Sequence, residues 1–290
     1  MGLSLVIGSS GSGKSTWVYR KMIEESMAHP DRQYIVIVPE QFTLQTQRDL
    51  VMMHPLRGIL NIDVLSFKRL ALRVFEETGT NAGEVLTETG KSLIVRRVAG
   101  EVQQDLKLMG KAIDRSGYVA GIKSMLSEFE EYEIDDDTLE EMIQRARDNE
   151  MLQGKLEDLR ILRREAMAYR AGKYCTGEEL LLVLSRVLPQ STLARESTFV
   201  FDSFTGFTPL QESVLFGLLR MAPELYVTVC VDPDQKLFEN IKEHELFALS
   251  KRTINSLAHL AANAGVPVHT PVFLTGENGR FRDNASHGRL

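Results

Sequence analysis

Leu3-Ser4-Leu5-Val6-Ile7-Gly8-Ser9-Ser10-Gly11-Ser12-Gly13-Lys14-Ser15-Thr16 decides the fold of this chain: a short apolar run breaks into a glycine-rich loop and then into residues of helical composition. The loop fits G-x-x-x-x-G-K-[ST] between a strand and a helix, the pattern of a phosphate-binding loop, or P-loop. Glycines let the backbone curl until its N–H groups converge, and a helix beginning near Lys14 turns its positive end toward the same anion. Gly8, Ser9, Gly11, Ser12, Gly13, Lys14, Ser15 and Thr16 are therefore the expected nucleotide-binding residues. Lys14 would reach the β and γ phosphates and Ser15 would ligate Mg²⁺. The plain alternative is a glycine-rich turn that binds nothing.

Outward from the loop, Ser15 to Met27 has helical composition, and Gln33 to Val38 is a second buried strand closed by Pro39, which completes a βαβ unit. Phe42 to Met53 reads as a helix, Ile62 to Leu65 as a third strand and Ser66 to Glu77 as an amphipathic helix. From Glu88 to about Pro189 strand-like runs give way to charged helical stretches at 89–107, 117–131, 137–149 and 156–171. The α/β pattern resumes with strands at Ser197–Phe201 and Leu225–Val231, helices at Pro209–Met221 and Glu245–Ala264, and a last strand around Val266–Leu274. The expected architecture is an α/β P-loop NTPase parallel sheet, resembling that of superfamily 1 helicases, with an inserted all-helical subdomain. Its parts are residues 1–85 and 191–275 for the sheet, 86–190 for the insertion and 276–290 for a polar tail or truncated linker.

The 290 residues are 43% hydrophobic and 26% charged, the balance of a soluble globular protein rather than a disordered chain. No apolar run approaches the roughly 20 residues of a membrane helix, and no signal-peptide pattern opens the chain, so a cytoplasmic protein without membrane association is expected. Two cysteines, Cys175 and Cys230, exclude a disulfide framework and a four-thiolate metal centre built by this chain alone; both read as buried thiols. The net charge is −6, but Ser124–Glu150 carries eleven carboxylates against two arginines. That local −9 leaves the remainder at about +3, and the acidic run reads as a solvated helical face.

A P-loop protein that hydrolyses ATP needs an acidic residue at the end of another strand to hold the water shell of Mg²⁺. Asp202, after Thr198-Phe199-Val200-Phe201, fits that role, its alternative being a cap on the following loop. Ser203 then stands where a water-activating carboxylate is usual, and a hydroxyl is too weakly basic to replace it. Val231-Asp232-Pro233-Asp234-Gln235 reads first as an Asp-Pro turn and second as a strand end whose Gln235 senses a γ-phosphate. Pro39-Glu40-Gln41-Phe42-Thr43 falls at the C-terminal edge of a parallel sheet, where α/β proteins bind ligands. Gln41 there, and Lys68 and Arg69 after the third strand, are candidates for DNA contact; a helix cap and solvated cations are the other readings. Trp17 reads as core, and His29, His54, His244 and His269 have no metal-ligand spacing.

The segments LSLVIGSSGSGKST, IVIVPEQFTLQTQRDL, IDVLSFKRLALRVF, FVFDSFTGFTPLQ and LFALSKRTINSLAHLA together resemble the N-terminal region of the AddB (RexB) family, the B subunit of bacterial ATP-dependent helicase/deoxyribonuclease. The resemblance implies a helicase-like motor that has lost activity, fused to a C-terminal nuclease carrying an iron–sulfur cluster. It implies an AddA-type helicase/nuclease partner and DNA, single-stranded or as a duplex end, in double-strand break repair by homologous recombination. It assigns Gly8, Gly11, Gly13, Lys14, Ser15 and Thr16 to the nucleotide loop for ATP, Asp202 to a degenerate acidic motif for Mg²⁺, and Gln211 to a later glutamine position. The chain stops before the nuclease carboxylates and cluster cysteines of the family, so the cluster is not expected here, and it begins too close to the loop for the glutamine that reads adenine in active helicases. Two rivals stand beside this: a small-molecule P-loop kinase with a helical lid, and a non-catalytic structural partner of AddA.

Overall fold

The β-branched apolar runs form one sheet because their side chains are buried on both faces, as expected of a parallel sheet covered by helices. In the computed structural model, which describes residues 1–110, 115–232, 237 and 245–275, these strands are β1 (Leu3–Gly8), β2 (Gln33–Ile37), β3 (Ile62–Leu65), β6 (Ser197–Phe201), β7 (Leu225–Cys230) and β8 (Val272–Leu274). Their order is β3-β2-β6-β7-β1-β8, and every neighbouring pair is parallel. The fold class is thus the α/β parallel sheet expected. Tyr34, Phe199, Phe201, Leu5 and Ile7 are among its largest fully buried side chains, each contributing about 1.5–3 kcal/mol of transfer free energy.

The connecting helices are α1 (Lys14–Ala28), α2 (Thr43–Met53), α3 (Phe67–Thr78), the short α9 (Thr192–Glu196), α10 (Pro209–Leu219) and α11 (Ala248–Ala264). Local chemistry sets the ends of α3: Ser66 accepts from the Arg69 N–H at its start, and Gly79 takes the left-handed conformation that closes it. Between these ends Phe67, Leu70, Ala71, Val74 and Phe75 supply one buried face. The last strand is shorter than the sequence suggests. Val268 makes only a single bridge to Leu3 before β8 begins.

Two compact units divide the chain. One gathers residues 1–80, 184–207 and the described residues from 211 onward; the other comprises 81–183 with 208–210. The second is built from α4 (Glu88–Glu101), α5 (Ser116–Glu131), α6 (Asp136–Arg145) and α7 (Glu150–Arg170), with α8 (Gly177–Val187) leading out. Val95, Leu126, Phe129, Leu139, Leu159 and Leu162 lie in its core. It is not purely helical, because β4 (Glu84–Val85) pairs in parallel with β5 (Tyr174–Cys175) and ties its entry to its exit.

The acidic run is only partly a solvated face. Glu130 takes the guanidinium of Arg170 at 2.7 Å and the hydroxyl of Thr176 at 2.8 Å. Asp135 caps α6 through the Thr138 N–H, and Asp136 and Glu140 pair with Arg163 and Arg160. Among the described residues no helix is long and apolar enough to cross a membrane.

Candidate functional site

Parallel strands bring their C-terminal ends to one edge, and the glycine loop leaves that edge at the end of β1. Gly8 pairs in register with Cys230 of β7, and a Cβ at Gly8 would come within 2.3 Å of Ser12 Oγ and 2.7 Å of the Leu274 carbonyl. Only glycine fits there. Gly13, the residue before α1, has φ 94°, a conformation open to glycine at little cost. Ser9 closes the turn by accepting from the Ser12 N–H at 3.2 Å, and Ser12 is itself buried. Thr16 is exposed at the rim. An open cleft of about 960 Å³ lies over the loop, lined by Gly11 to Trp17 and by Arg20, Lys21 and Glu24 of α1.

The Lys14 ammonium folds back onto its own loop, donating to the Gly8 carbonyl at 3.0 Å and the Ser9 carbonyl at 2.8 Å. Burial pulls its pKa below the ordinary value, and the neighbouring Cys230 and Asp202 push it partly back. The cation is thus partly desolvated beside the positive end of α1, an arrangement that leaves it unfavourably placed without an anion.

Asp202 follows β6, which is separated from β1 by β7, so roughly 10 Å of sheet lies between the two strands. The loop carries the start of α1 across that gap, so that Ser15 Oγ donates to Asp202 Oδ1 at 3.1 Å. The carboxylate is 1% exposed. Thr228, on the intervening β7, donates to Oδ1 at 2.6 Å, while Oδ2 accepts from Tyr19 at 2.5 Å and from Ser203 at 3.4 Å. Asp202 therefore serves side-chain hydroxyls drawn from α1, β7 and its own neighbour Ser203, rather than the backbone of its own loop. Ser15 and Asp202 are hard oxygen donors of the kind Mg²⁺ takes beside phosphate, so the residues present fit that ion in type.

After Asp202 the chain turns sharply at Ser203, whose φ is 66°. The turn drops Phe204 and Phe207 onto Phe67 and Phe201, with ring centroids 5.2–6.5 Å apart. This aromatic cluster fixes the loop that carries Asp202 to the start of α3.

The other candidates among the described residues do not join this cluster. Gln41 is exposed in a single 3₁₀ turn, Glu40–Phe42, and the Thr43 hydroxyl donates to the Glu40 carbonyl rather than capping α2. Lys68 is half-buried and Arg69 exposed in the first turn of α3, after the adjacent strand β3. Gln211 sits in the first turns of α10. Gln235 and the 276–290 tail lie outside the described residues. Trp17 is only partly core: it packs on the α1–β2 cluster yet also lines the cleft.

Three residues near the loop escape a reading of the sequence alone. Tyr19 is four positions after Ser15 and so shares its helix face; that spacing is the available signal. Thr228 is the one polar residue inside the otherwise apolar run Leu225–Val229 apart from the Tyr226 hydroxyl. Cys230 reads from its neighbours as buried, but it is exposed at the open end of β7, where its thiol faces the Lys14 ammonium. Cys175 is buried as expected. Among the described residues no group of three His, Cys, Asp or Glu side chains could hold a metal.

The family described as "ADDB, N-terminal" matches residues 5–288. The chain is 41% identical, over 97% of its length, to the B subunit of the ATP-dependent helicase/deoxyribonuclease of Lachnoclostridium phytofermentans, of which it covers 24%. It is 34% identical to the proteins of the same description from Desulforudis audaxviator and Moorella thermoacetica, over 100% and 98% of its length and 25% of each relative. The chain thus spans about a quarter of the length of the curated relatives it matches.

Proposed function

The chain belongs to the AddB N-terminal family, and on that footing we propose that it is the nucleotide-binding portion of the B subunit of a helicase/exodeoxyribonuclease acting in double-strand break repair by homologous recombination. The observation that carries this reading is the contact of Ser15 with Asp202 beneath a glycine loop whose lysine is desolvated. Backbone N–H groups of residues 9–16, the N-terminus of α1 and Lys14 would bind the phosphates of ATP. Ser15 and Asp202 would hold Mg²⁺, which neutralises phosphate charge when bound. The cleft side of α1, with Trp17, would face the rest of the nucleotide.

With Ser203 in place of a carboxylate and its hydroxyl turned to Asp202, the site binds nucleotide far better than it activates water. The role is then occupancy rather than turnover: the bound nucleotide orders the sheet edge along which Gln41, Lys68 and Arg69 would meet DNA, with an AddA-type helicase/nuclease as partner. Calorimetric titration of the chain with Mg-ATP tests the site. Lys14→Ala is expected to weaken binding by at least about tenfold, or about 1.4 kcal/mol. Unchanged affinity would remove the loop as the site.

A further inference from the structure

An ionised carboxylate offers about four lone-pair directions, and at Asp202 four hydroxyls, from Ser15, Thr228, Tyr19 and Ser203, point at them. Any water carried by a metal would have to donate into one of these directions. Ser15 is no obstacle, since its oxygen keeps lone pairs while its proton stays on Asp202. Ser203, at 3.4 Å, is easily displaced. Tyr19 is different. Its bond to Oδ2 is 2.5 Å, the length of a charge-assisted contact; its ring is buried, and a carboxylate oxygen beside it can only accept, so the phenol is the donor. With its proton committed to Asp202, its oxygen takes the hydroxyl proton of Thr46, 3.4 Å away on α2.

We propose that Tyr19 is a positioning residue whose hydroxyl withholds Asp202 Oδ2 from the water shell of Mg²⁺, so that this P-loop binds nucleoside triphosphate with little dependence on the metal. The inference deepens the nucleotide-site reading and rests on it. Affinity comes from the loop N–H groups, the α1 terminus and Lys14. The metal adds little, because hydroxyls at 2.5, 2.6 and 3.1 Å hold three of the four directions its waters would use, and only that of Ser203 is given up readily. Thr228, at 2.6 Å on Oδ1, acts in the same sense from β7.

The test is the ratio of ATP dissociation constants measured by calorimetry in EDTA and in excess Mg²⁺. A ratio below about threefold is expected for the unaltered chain, rising at least about fivefold in Tyr19→Phe as the strongest donor to Oδ2 is removed. Thr228→Val should raise it as well, and it decides the matter if Tyr19→Phe does not fold. Thr46→Val, which removes a donor to Tyr19 but none to Asp202, should leave the ratio unchanged. A loss of structure alone would weaken binding in both buffers and leave the ratio where it was. A ratio above about 100 in the unaltered chain, or the same ratio in Tyr19→Phe, would overturn the inference. Failure of the underlying site looks different: no Lys14-dependent binding in either buffer, an outcome that removes this inference with it.

Discussion

Replacing Asp202 by alanine should destabilise the sheet unit by about 3 kcal/mol, because the carboxylate is the shared acceptor of a buried hydroxyl cluster. Its removal strands Thr228 and Tyr19, which are 4% and 5% exposed. Each buried hydroxyl without an acceptor costs about 1–3 kcal/mol. Thr46 at 3.4 Å softens the loss for Tyr19, and removing a desolvated carboxylate returns part of the cost. Asp202→Asn should cost less, about 1–1.5 kcal/mol, since an amide oxygen still accepts from Ser15 and Thr228 while its N–H₂ can donate to the Tyr19 oxygen. Urea unfolding followed by fluorescence reads this unit selectively, because the chain's one tryptophan is Trp17 on α1. With a slope of about 2 kcal/mol/M, the midpoint should fall by about 1.5 M for alanine and by about a third to a half of that for asparagine. An alanine cost below about 1 kcal/mol, or equal costs for the two variants, would refute the acceptor role.

Three further outcomes are expected. Because the Lys14 pKa is lowered in the folded chain, the unfolded chain binds that proton more readily, so the stability of the nucleotide-free protein should rise with pH between the lowered value and the ordinary 10.5. ATP affinity should fall over the same interval as the ammonium is lost, while Lys14→Arg stays flat; titrations in which affinity stays constant until the ordinary 10.5 is reached would contradict the desolvation. In the helical unit the buried Asp158 carboxylate accepts from the N–H groups of Lys107, Leu108 and Met109 at 2.7–2.8 Å, so Asp158→Ala should cost about 3 kcal/mol, seen by circular dichroism in urea, and a loss under about 1 would refute it. Maleimide at neutral pH should label Cys230 alone, since burial pushes the Cys175 thiol up to about 11; two adducts on the native chain by mass spectrometry would be the contrary result.

The sequence by itself determined the glycine loop, the identity of most strands and the helical character of the insertion, because these rest on local causes. Gly13 is demanded by its own left-handed backbone and Gly8 in part by Ser12 four residues on, and runs such as Tyr34–Val38 or Phe199–Phe201 are too uniformly apolar to sit anywhere but inside a sheet. The acidic residue after β6 was legible for the same reason: a lone carboxylate closes an apolar strand. The tertiary structure alone decided what surrounds it. Tyr19, Thr228 and Ser15 lie 183, 26 and 187 positions from Asp202, and they meet only because β7 is inserted between β1 and β6. Strand order is a long-range choice that composition does not encode. The same holds for Cys230, whose apolar neighbours suggest burial, while its place at the last residue of β7, beside Gly8, leaves it open to solvent. It holds also for the acidic run, whose carboxylates look solvated in sequence until the guanidinium groups of α7 are packed against them.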